Sequence, residues 1–410
     1  MTFRVLLLVS VSVLLAGLTG CPPVDQPGPS GPTPVQPPAP DATGEQVVEP
    51  SGDEESAGPA VDPEIVDAVV QRVEAMDGVI ERGDGGTIVG IDLEKMQAPT
   101  TDEDLERFAK LADLKSLKVD GPKVTDAGVA HLANLKNLEV LWLVNTTITD
   151  EGLAPLKGLP KLKDLNLRRS EGLTDEGLAH LPDFPSLQYL HLLYNDFSDD
   201  GLANLEGMTG LRLLDLRGNM GLTDEGVAHL AGLTGLKALK MRSLMVGNTG
   251  LEHLQGLTSL THLTVEDAQM VSDPGLEYVA KLKNLEELNL MRATSITDDG
   301  VTKLEGLPLK SLELRGTTVT GTGLAQLQDA PLVKLDLGEA AVNDKGLEEG
   351  ISQLKTLEWL DLWNTFVTDA GLEHLKGLEN LKYLRIEGTN TTEPGAAKLR
   401  ESMPDTEIVR

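Results

Sequence analysis

A short motif, T-D-x-G-[L/V], returns along the chain at intervals of 23 to 25 residues. Clear copies begin at Thr125, Thr149, Thr174, Thr223, Thr297 and Thr368, and relaxed copies begin at Thr101, Ser198, Gly247, Ser272, Thr320, Asn343 and Thr392. A second pattern, L-x-x-L-x-L-x-x-[T/N/S/A], lies between successive copies, and it recurs from Leu114 to Leu381. A short period sustained over so much of the chain is typical of a repeat architecture.

Each repeat contains the pattern of one strand and one helix. The L-x-L segment alternates with the period of a strand, and G-L-x-x-L-x-x-L places apolar residues at helical spacing. Aromatic residues make up only 3% of the chain, so the shared core must be built from Leu, Val and Ile. We interpret the Thr of each motif as a helix N-cap, the Asp as facing the dipole of that helix, and the Gly as allowing close packing between turns.

The repeat resembles leucine-rich repeats over about residues 88–392. The T-D-x-G-L variant is similar to the repeats of F-box leucine-rich-repeat proteins and of many bacterial leucine-rich-repeat proteins. This resemblance implies an α/β fold, a right-handed solenoid (horseshoe) of about twelve or thirteen turns, with a concave parallel β-sheet and convex helices. The F-box itself has no visible counterpart, so the resemblance implies nothing about ubiquitin ligation.

Both ends of such a solenoid need covering, because an open end exposes the apolar core. Residues 63–93 are expected to form an N-terminal cap from an amphipathic helix and a hairpin. The repeats should then occupy 94–392, and a last helix with a closing strand within 393–410 should form the C-terminal cap.

The first twenty residues have the composition of an export signal. They contain one positive charge, an apolar run from Val5 to Leu18 and then small residues, and the run is too short for a comfortable membrane span. The string L-T-G-C, which ends at Cys21, resembles the bacterial lipobox, and this implies lipidation of Cys21 after removal of residues 1–20. By the same resemblance, Pro22 in place of Asp favours the outer membrane in a cell that has one. The alternative is an ordinary secretory signal followed by an unrelated cysteine.

Residues 21–62 are expected to form a disordered spacer between the membrane and the fold. Residues 22–62 contain eleven prolines and eight acids, but no Lys or Arg. Such a composition cannot bury a core. The whole chain has a formal net charge of −30, which argues against a nucleic-acid partner and favours a soluble monomer.

The sequence contains no recognisable catalytic or cofactor-binding motif. There is no nucleophile elbow, zinc-protease motif, phosphate loop or dinucleotide fingerprint. Five of the seven histidines occupy one repeat position, which explains them better than a metal site, and they are His131, His180, His229, His253 and His374. Helix capping likewise explains the aspartates of the T-D-x-G-[L/V] motif better than calcium ions bound between successive repeats. We therefore expect no enzymatic activity, no metal and no cofactor.

The variable positions beside the strand leucines are the expected partner-binding surface, because they can differ between turns without harming the core. Six aromatic residues fall there, and they are Trp142, Tyr189, Tyr194, Trp359, Trp363 and Tyr383. Tryptophan and tyrosine are enriched in binding hot spots. Strands also favour aromatic residues for their own packing, which is the alternative explanation.

Charge on this surface is segregated along the chain. Between residues 163 and 243 the basic side chains are Lys163, Arg168, Arg169, Arg212, Arg217, Lys237, Lys240 and Arg242, against the acids Asp164 and Asp215. From 266 to 387 acids predominate, although Arg315 is a further candidate contact there. The basic stretch, with Tyr189 and Tyr194, is expected to receive an acidic protein segment or an anionic glycan. Alternatively, the charges neutralise one another across strands.

Together these features predict a non-enzymatic, protein-binding lipoprotein displayed at the cell envelope. Its partner-binding candidates are Trp142, Arg168, Tyr189, Tyr194, Arg217, Arg242, Arg315, Trp359, Trp363 and Tyr383. The alternatives are a structural envelope scaffold, a glycan-binding protein or a carbohydrate-active enzyme.

Overall fold

The computed structural model of this protein describes residues 61–95 and 98–410. The predicted signal peptide, the lipidation site Cys21 and most of the proline-rich segment lie outside the described residues. Within the described ranges, the helices are all too short or too polar to cross a membrane.

Fifteen strands of the described chain form one sheet in which every strand lies beside its neighbours in sequence. The strands are β1 Val79–Arg82, β2 Ile88–Leu93, β3 Ser116–Asp120, β4 Val140–Val144, β5 Asp164–Asn166, β6 Tyr189–His191, β7 Leu213–Asp215, β8 Ala238–Arg242, β9 His262–Glu266, β10 Glu287–Asn289, β11 Ser311–Glu313, β12 Lys334–Asp336, β13 Trp359–Asp361, β14 Tyr383–Arg385 and β15 Glu407–Val409. The first pair is antiparallel, and every later pair is parallel.

Short helices alternate with the strands. The α-helices are α1 Pro63–Ala75, α2 Asp102–Phe108, α3 Asp126–Ala130, α4 Asp150–Leu153, α5 Asp175–Leu178, α6 Asp199–Ala203, α7 Asp224–Ala228, α8 Asn248–Leu254, α9 Asp273–Val279, α10 Asp298–Thr302, α11 Asp344–Glu349, α12 Asp369–Leu372 and α13 Glu393–Ser402. Single 3₁₀ turns cover Asp84–Gly86, His131–Asn134, Ala154–Gly158, Leu181–Asp183, Thr322–Leu327, Ile351–Gln353 and Glu373–Gly377.

The strand leucines form one continuous buried column. Leu141 of β4 lies in register with Leu165 of β5, and Leu165 lies in register with Leu190 of β6. All three are fully buried. Burying a leucine side chain contributes roughly 1.5–3 kcal/mol, so a column repeated at every turn supplies the main cohesion of the fold. The structure therefore confirms the predicted leucine-rich-repeat solenoid.

The motif aspartate links successive turns, a role that sequence analysis did not assign to it. Thr174 begins α5 as its N-cap, and its hydroxyl accepts a hydrogen bond from the N–H of Glu176. Asp150, at the start of the previous helix, accepts hydrogen bonds from the main-chain N–H and the hydroxyl of Thr174 at 2.8 and 2.7 Å. The Asp therefore does more than face the dipole of its own helix, because it also holds the next N-cap.

The same pair of hydrogen bonds recurs along most of the solenoid. It joins Asp102 to Thr125, Asp126 to Thr149, Asp175 to Ser198, Asp199 to Thr223, Asp273 to Thr297, Asp298 to Thr320, Asp344 to Thr368 and Asp369 to Thr392. We refer to these links as the aspartate ladder. Its oxygens accept bonds from hydroxyl and amide groups of the next turn, which gives a physical reason for the fixed T-D spacing.

The motif glycine leaves room for the ladder. A Cβ atom on Gly177 would lie 2.3 Å from Oδ1 of Asp150 in the previous turn. The ladder breaks at residue 321, where Gly replaces Asp. There the main chains themselves approach, because a Cβ on Gly346 would lie 1.8 Å from the carbonyl oxygen of Thr320. The predicted role of glycine in close packing is thus observed at both kinds of contact.

The first helix is attached to the first repeat by a bidentate ion pair. The Arg72 side chain of α1 donates through Nε and Nη2 to the two carboxylate oxygens of Asp104, at 2.8 and 2.9 Å. Val69 and Val73, on the same helix, are fully buried against the core. At the other end, β15 pairs with β14, and α13 buries Leu399.

Candidate partner-binding face

The side chains that flank the buried leucine column form a continuous surface, here called the sheet face. It consists of the strand residues on either side of each central leucine, together with the two residues that follow the next leucine of the repeat, as Leu193 and Tyr194 follow Leu192. The predicted aromatic residues all lie on it, and their side chains are partly or fully exposed, as at Tyr194, which is 45% exposed. None of the six is buried between layers of the solenoid.

Two of these aromatic rings pack on each other near the C-terminal end. Trp359 of β13 and Tyr383 of β14 stack with ring centroids 5.5 Å apart and an angle of 8° between the planes. The ammonium group of Lys334, on β12, lies 5.2 Å from the centroid of the Trp359 ring. The sheet register thus places a cation and a second ring on neighbouring strands beside Trp359.

Trp363 is flanked by two arginines that are themselves paired with acids. The guanidinium carbons of Arg315 and Arg385 lie 5.8 and 5.2 Å from its ring centroid. Asp361 contacts both arginines, at 3.6 and 3.5 Å, although its side chain is only 2% exposed. Burial and the nearby charge of Asp336 raise the pKa of Asp361, and the two arginines, which lower it, do not outweigh them. Arg315, the predicted contact in the acidic half, therefore belongs to an internal ion-pair network.

A second network surrounds Trp142 at the N-terminal end. Its indole N–H donates to Asp164 at 3.1 Å, and the ammonium group of Lys118 lies 4.4 Å from its ring centroid. The imidazole of His191 lies 3.7 Å from the same carboxylate. Burial raises the pKa of Asp164 and lowers the pKa of His191, so both groups are pushed towards their neutral forms. Tyr189 lies half-buried beside Asp164 in the next strand.

The structure places Arg217 and Arg242 in ion pairs. Arg217 donates through Nε and Nη2 to Asp215 at 3.0 and 2.8 Å, and the hydrogen bond to Asp215 raises the pKa of the arginine. Arg242 donates to Asp267 at 2.5 Å, with the same effect on its pKa. Asp267 also contacts Arg292 at 3.3 Å. The pair of Arg242 and Asp267 thus agrees with the alternative of neutralisation across strands, whereas Arg217 is neutralised by an acid of its own turn.

Arg168 and Arg169 differ from Arg217 and Arg242. Neither guanidinium forms an ion pair with a described residue, and both lie over the ring of Tyr194, with their central carbons 5.4 and 5.2 Å from its centroid. Nε of Arg168 is buried and finds no hydrogen-bond acceptor in the described part of the chain. We call these three residues the Tyr194 cluster.

The backbone at the strand ends helps to present this cluster. Arg169 and Tyr194 occupy equivalent positions in successive turns and have φ values of 56° and 54°, in the left-handed region. Gly218 occupies the same position in the following turn, with a φ of 87°. Because left-handed residues turn the chain away from the strand, their side chains project at the carboxyl edge of the sheet face.

A shallow polar depression of about 190 Å³ lies on the sheet face between β7 and β11. Its wall includes the acids Glu266 and Glu287 and the basic residues Lys240 and His262. Burial raises the pKa of Glu266, whereas a hydrogen bond from His262 lowers that of Glu287. Throughout the described residues, no three His, Cys, Asp or Glu side chains are grouped so that they could hold a metal ion.

Sequence reasoning missed an apolar strip outside the strands. Leu244, Met245 and Met270 are 46%, 53% and 63% exposed, and Met220 is exposed beside them. Met245 and Met270 each precede an N-cap by two residues in successive turns, which the sequence alone could have revealed as a repeat position. These residues lie outside the strands, whereas the leucine pattern marks only the positions beside the strand leucines as a variable surface.

Comparisons with known proteins agree with this fold. The family described as Leucine Rich repeat matches at residues 185–205 and 281–304. No curated protein matches the sequence at a significant level. An internalin of Listeria monocytogenes is similar in structure, with a TM-score of 0.59 and 23% identity, over 85% of this chain and 94% of that one.

Two further solved structures share less of the geometry. A leucine-rich-repeat protein of Leptospira interrogans has a TM-score of 0.47 and 18% identity, over 86% of this chain and all of that one. The plant peptide hormone receptor RGFR1 in complex with RGF2 has a TM-score of 0.49 and 18% identity, over 80% of this chain and 51% of that one. The repeat matches and the internalin likeness support one conclusion, that the described chain has the leucine-rich-repeat fold.

Proposed function

We propose that this chain is a non-enzymatic recognition protein, held at the cell envelope by a lipid on Cys21, that binds a protein partner through the sheet face. Leucine-rich-repeat proteins generally act as binding scaffolds and not as enzymes. The lipobox resemblance at residues 18–21 and the acidic, proline-rich composition of 22–62 support export and anchoring. The spacer would then hold the solenoid away from the membrane.

The observation that carries the proposal is the Tyr194 cluster. A chain with a net charge of −30 presents two arginines with no acidic partner beside a half-exposed tyrosine. Arginine and tyrosine are enriched among the residues that contribute most to binding energy. By contrast, most other charges on the sheet face are paired with one another, so they contribute to complementarity more than to affinity.

A glycan partner fits the sheet face less well than a protein. Sugars commonly bind to the open faces of aromatic rings, but here Trp359 is stacked on Tyr383 and lies beside Lys334. Trp142 and Trp363 likewise have cations over their rings. A structural scaffold remains the alternative function, and it predicts contacts that are not confined to one face.

Site-specific photocrosslinking in intact cells tests the proposal. A photoreactive amino acid at position 189 lies on the sheet face, whereas the matched position 176 lies exposed on α5. We expect a defined protein adduct from position 189 and none from 176. Equal adducts from both positions would favour the scaffold, and no adduct from any sheet-face position would contradict partner binding.

Membrane attachment is tested separately with Cys21→Ser. We expect the full chain to partition into the detergent phase after extraction and the variant to remain in the aqueous phase, because a covalent acyl chain contributes about 0.8 kcal/mol for each buried CH₂ group. Identical partitioning of the two proteins would rule out the lipid anchor.

A further inference from the structure

We infer that the Tyr194 cluster is an anion-binding site whose ligand is a carboxylate-rich segment of a partner protein. This inference rests on the proposed function, because it assigns the chemistry of the partner at one place on the sheet face. It narrows the binding site from a broad basic stretch to three residues. Of the other basic side chains of that stretch, Lys163, Arg217 and Arg242 are paired with acids. Arg212, Lys237 and Lys240 form no ion pair within the described residues, but none of them lies over the ring of Tyr194.

The first argument is the contrast in pairing between neighbouring arginines. Arg217 and Arg242 each contact an aspartate, at 2.8 and 2.5 Å. Arg168 and Arg169, two and three strands away, form no ion pair within the described residues. Interactions between charges fall off over about 8 Å at physiological ionic strength, so the distant acids of the chain do little to neutralise this pair.

The second argument is the buried Nε of Arg168, which has no acceptor within the described chain. A guanidinium offers donors in a fixed fork that matches the two oxygens of a carboxylate. A carboxylate at this position would accept from that fork and from Arg169. Nε itself is covered by the protein, so the terminal nitrogens of Arg168, which are not buried, are the donors that such a carboxylate meets first.

The third argument concerns the shape of the site. The ring of Tyr194 lies 5.4 and 5.2 Å from the two guanidinium carbons, so both cations contact the same aromatic side chain. Such cation–π contacts fix the positions of the cations without neutralising their charge. An anion is therefore received by donors that are already in place. The two cations occupy part of the space around the ring, which leaves less of it free for a stacked sugar.

The test uses the full chain and a fluorescein-labelled hexaglutamate peptide, with binding followed by fluorescence anisotropy. Substituting both arginines, R168Q/R169Q, should weaken binding by at least about tenfold, because it removes the charged donors that the ligand needs. Hexaglutamine serves as the uncharged control peptide. Inorganic phosphate and a sulfated disaccharide serve as competitors that distinguish carboxylate recognition from general anion binding.

A matched variant controls for net charge. K161Q/K163Q removes two exposed positive charges from the same turn, where Lys163 is already paired with Glu139. We expect less than about a twofold change in hexaglutamate affinity for this variant. R169G provides a second check, since glycine is accepted at the equivalent position Gly218, and loss of binding in this variant cannot be assigned to backbone strain.

The outcomes separate this inference from the proposed function. Equal weakening by the two double variants, or no weakening by R168Q/R169Q, overturns the anion site even when photocrosslinking at position 189 yields a partner. Preference for the sulfated disaccharide over hexaglutamate overturns the assignment of the ligand to a protein segment. Selective hexaglutamate binding supports the site, and failure to crosslink a protein in cells then counts against the proposed function alone.

Discussion

The carboxylate of Asp150 holds the N-cap residue of the next turn, Thr174, through hydrogen bonds to both its main-chain N–H and its hydroxyl. Hydrogen bonds that involve a charged group are stronger than those between neutral groups. Each turn of the solenoid therefore depends on its neighbour through a polar contact as well as through buried leucine.

Asp150→Ala should lower the free energy of unfolding by about 1–3 kcal/mol, because two donors of Thr174 lose their acceptor. Glu151→Ala is the matched control, since Glu151 is adjacent and exposed, and its loss should cost less than about 0.5 kcal/mol. Denaturant unfolding measures both values, and amide exchange at Thr174 locates the effect. Equal costs for the two variants would mean that the aspartate ladder does not contribute to stability.

Gly177→Ala should destabilise the protein by about 1–3 kcal/mol, although alanine is normally favoured over glycine in a helix. The added Cβ would lie 2.3 Å from Oδ1 of Asp150 and displace it from its hydrogen bonds. The double variant Asp150→Ala/Gly177→Ala should be destabilised by less than the sum of the two single losses in unfolding free energy, because both changes remove the same hydrogen bonds. Gly232→Ala, where the added atom meets nothing within 4 Å, should be nearly neutral.

The attachment of α1 should weaken in acid. Burial works to raise the pKa of Asp104, but the hydrogen bonds and the charge of Arg72 outweigh it, so the pKa is lowered overall. A carboxyl group with a lowered pKa contributes stability above its unfolded pKa of about 3.9, and that stability is lost as pH falls through the folded pKa. The protection of α1 amides from hydrogen exchange, expressed relative to the intrinsic rate at each pH, should therefore fall in this window. In Asp104→Asn, this protection should already be low at neutral pH and should change little on acidification.

Asp164→Asn should preserve or raise the stability at neutral pH. Burial raises the pKa of Asp164, so its charged form is disfavoured in the folded protein and its contribution is lost as pH rises through the folded pKa. Asparagine keeps an oxygen that accepts from the indole N–H of Trp142. Asp215→Asn is the contrasting variant, because it removes the charged partner of Arg217 and should cost about 2 kcal/mol. Unfolding midpoints at neutral pH compare the two, and a large loss in Asp164→Asn would contradict this account.

Sequence analysis anticipated the apolar framework because each of its features is local. The spacing of Leu138, Leu141 and Leu143 predicts a strand with one buried face, and all three leucines are fully buried. The Thr of each motif was interpreted as a helix N-cap, and Thr174 caps α5 as expected. These inferences need only the periods of strands and helices, which any short segment displays on its own.

The polar contacts of the sheet face were harder to anticipate. Arg168 and Arg217 looked equivalent as basic residues at the same repeat position, yet only Arg217 has an acidic partner. The difference depends on where each side chain turns and which carboxylate lies within reach. The proposed contacts at Tyr189 and Tyr383 stay predictions, because their positions on the sheet face do not by themselves demonstrate binding.

The repeat period alone determined that the chain winds into stacked turns, since no single unit could bury its own leucines. Only the tertiary structure decided which charges cancel and which stay free, because an ion pair between turns joins residues more than twenty positions apart. A leucine is buried by any apolar neighbour in the adjacent turn, whatever its exact side chain. An ion pair such as that of Arg242 with Asp267 forms only when the two charged groups lie within hydrogen-bond distance. That difference in range is the physical reason that the fold could be predicted from the sequence and the arrangement of its charged surface could not.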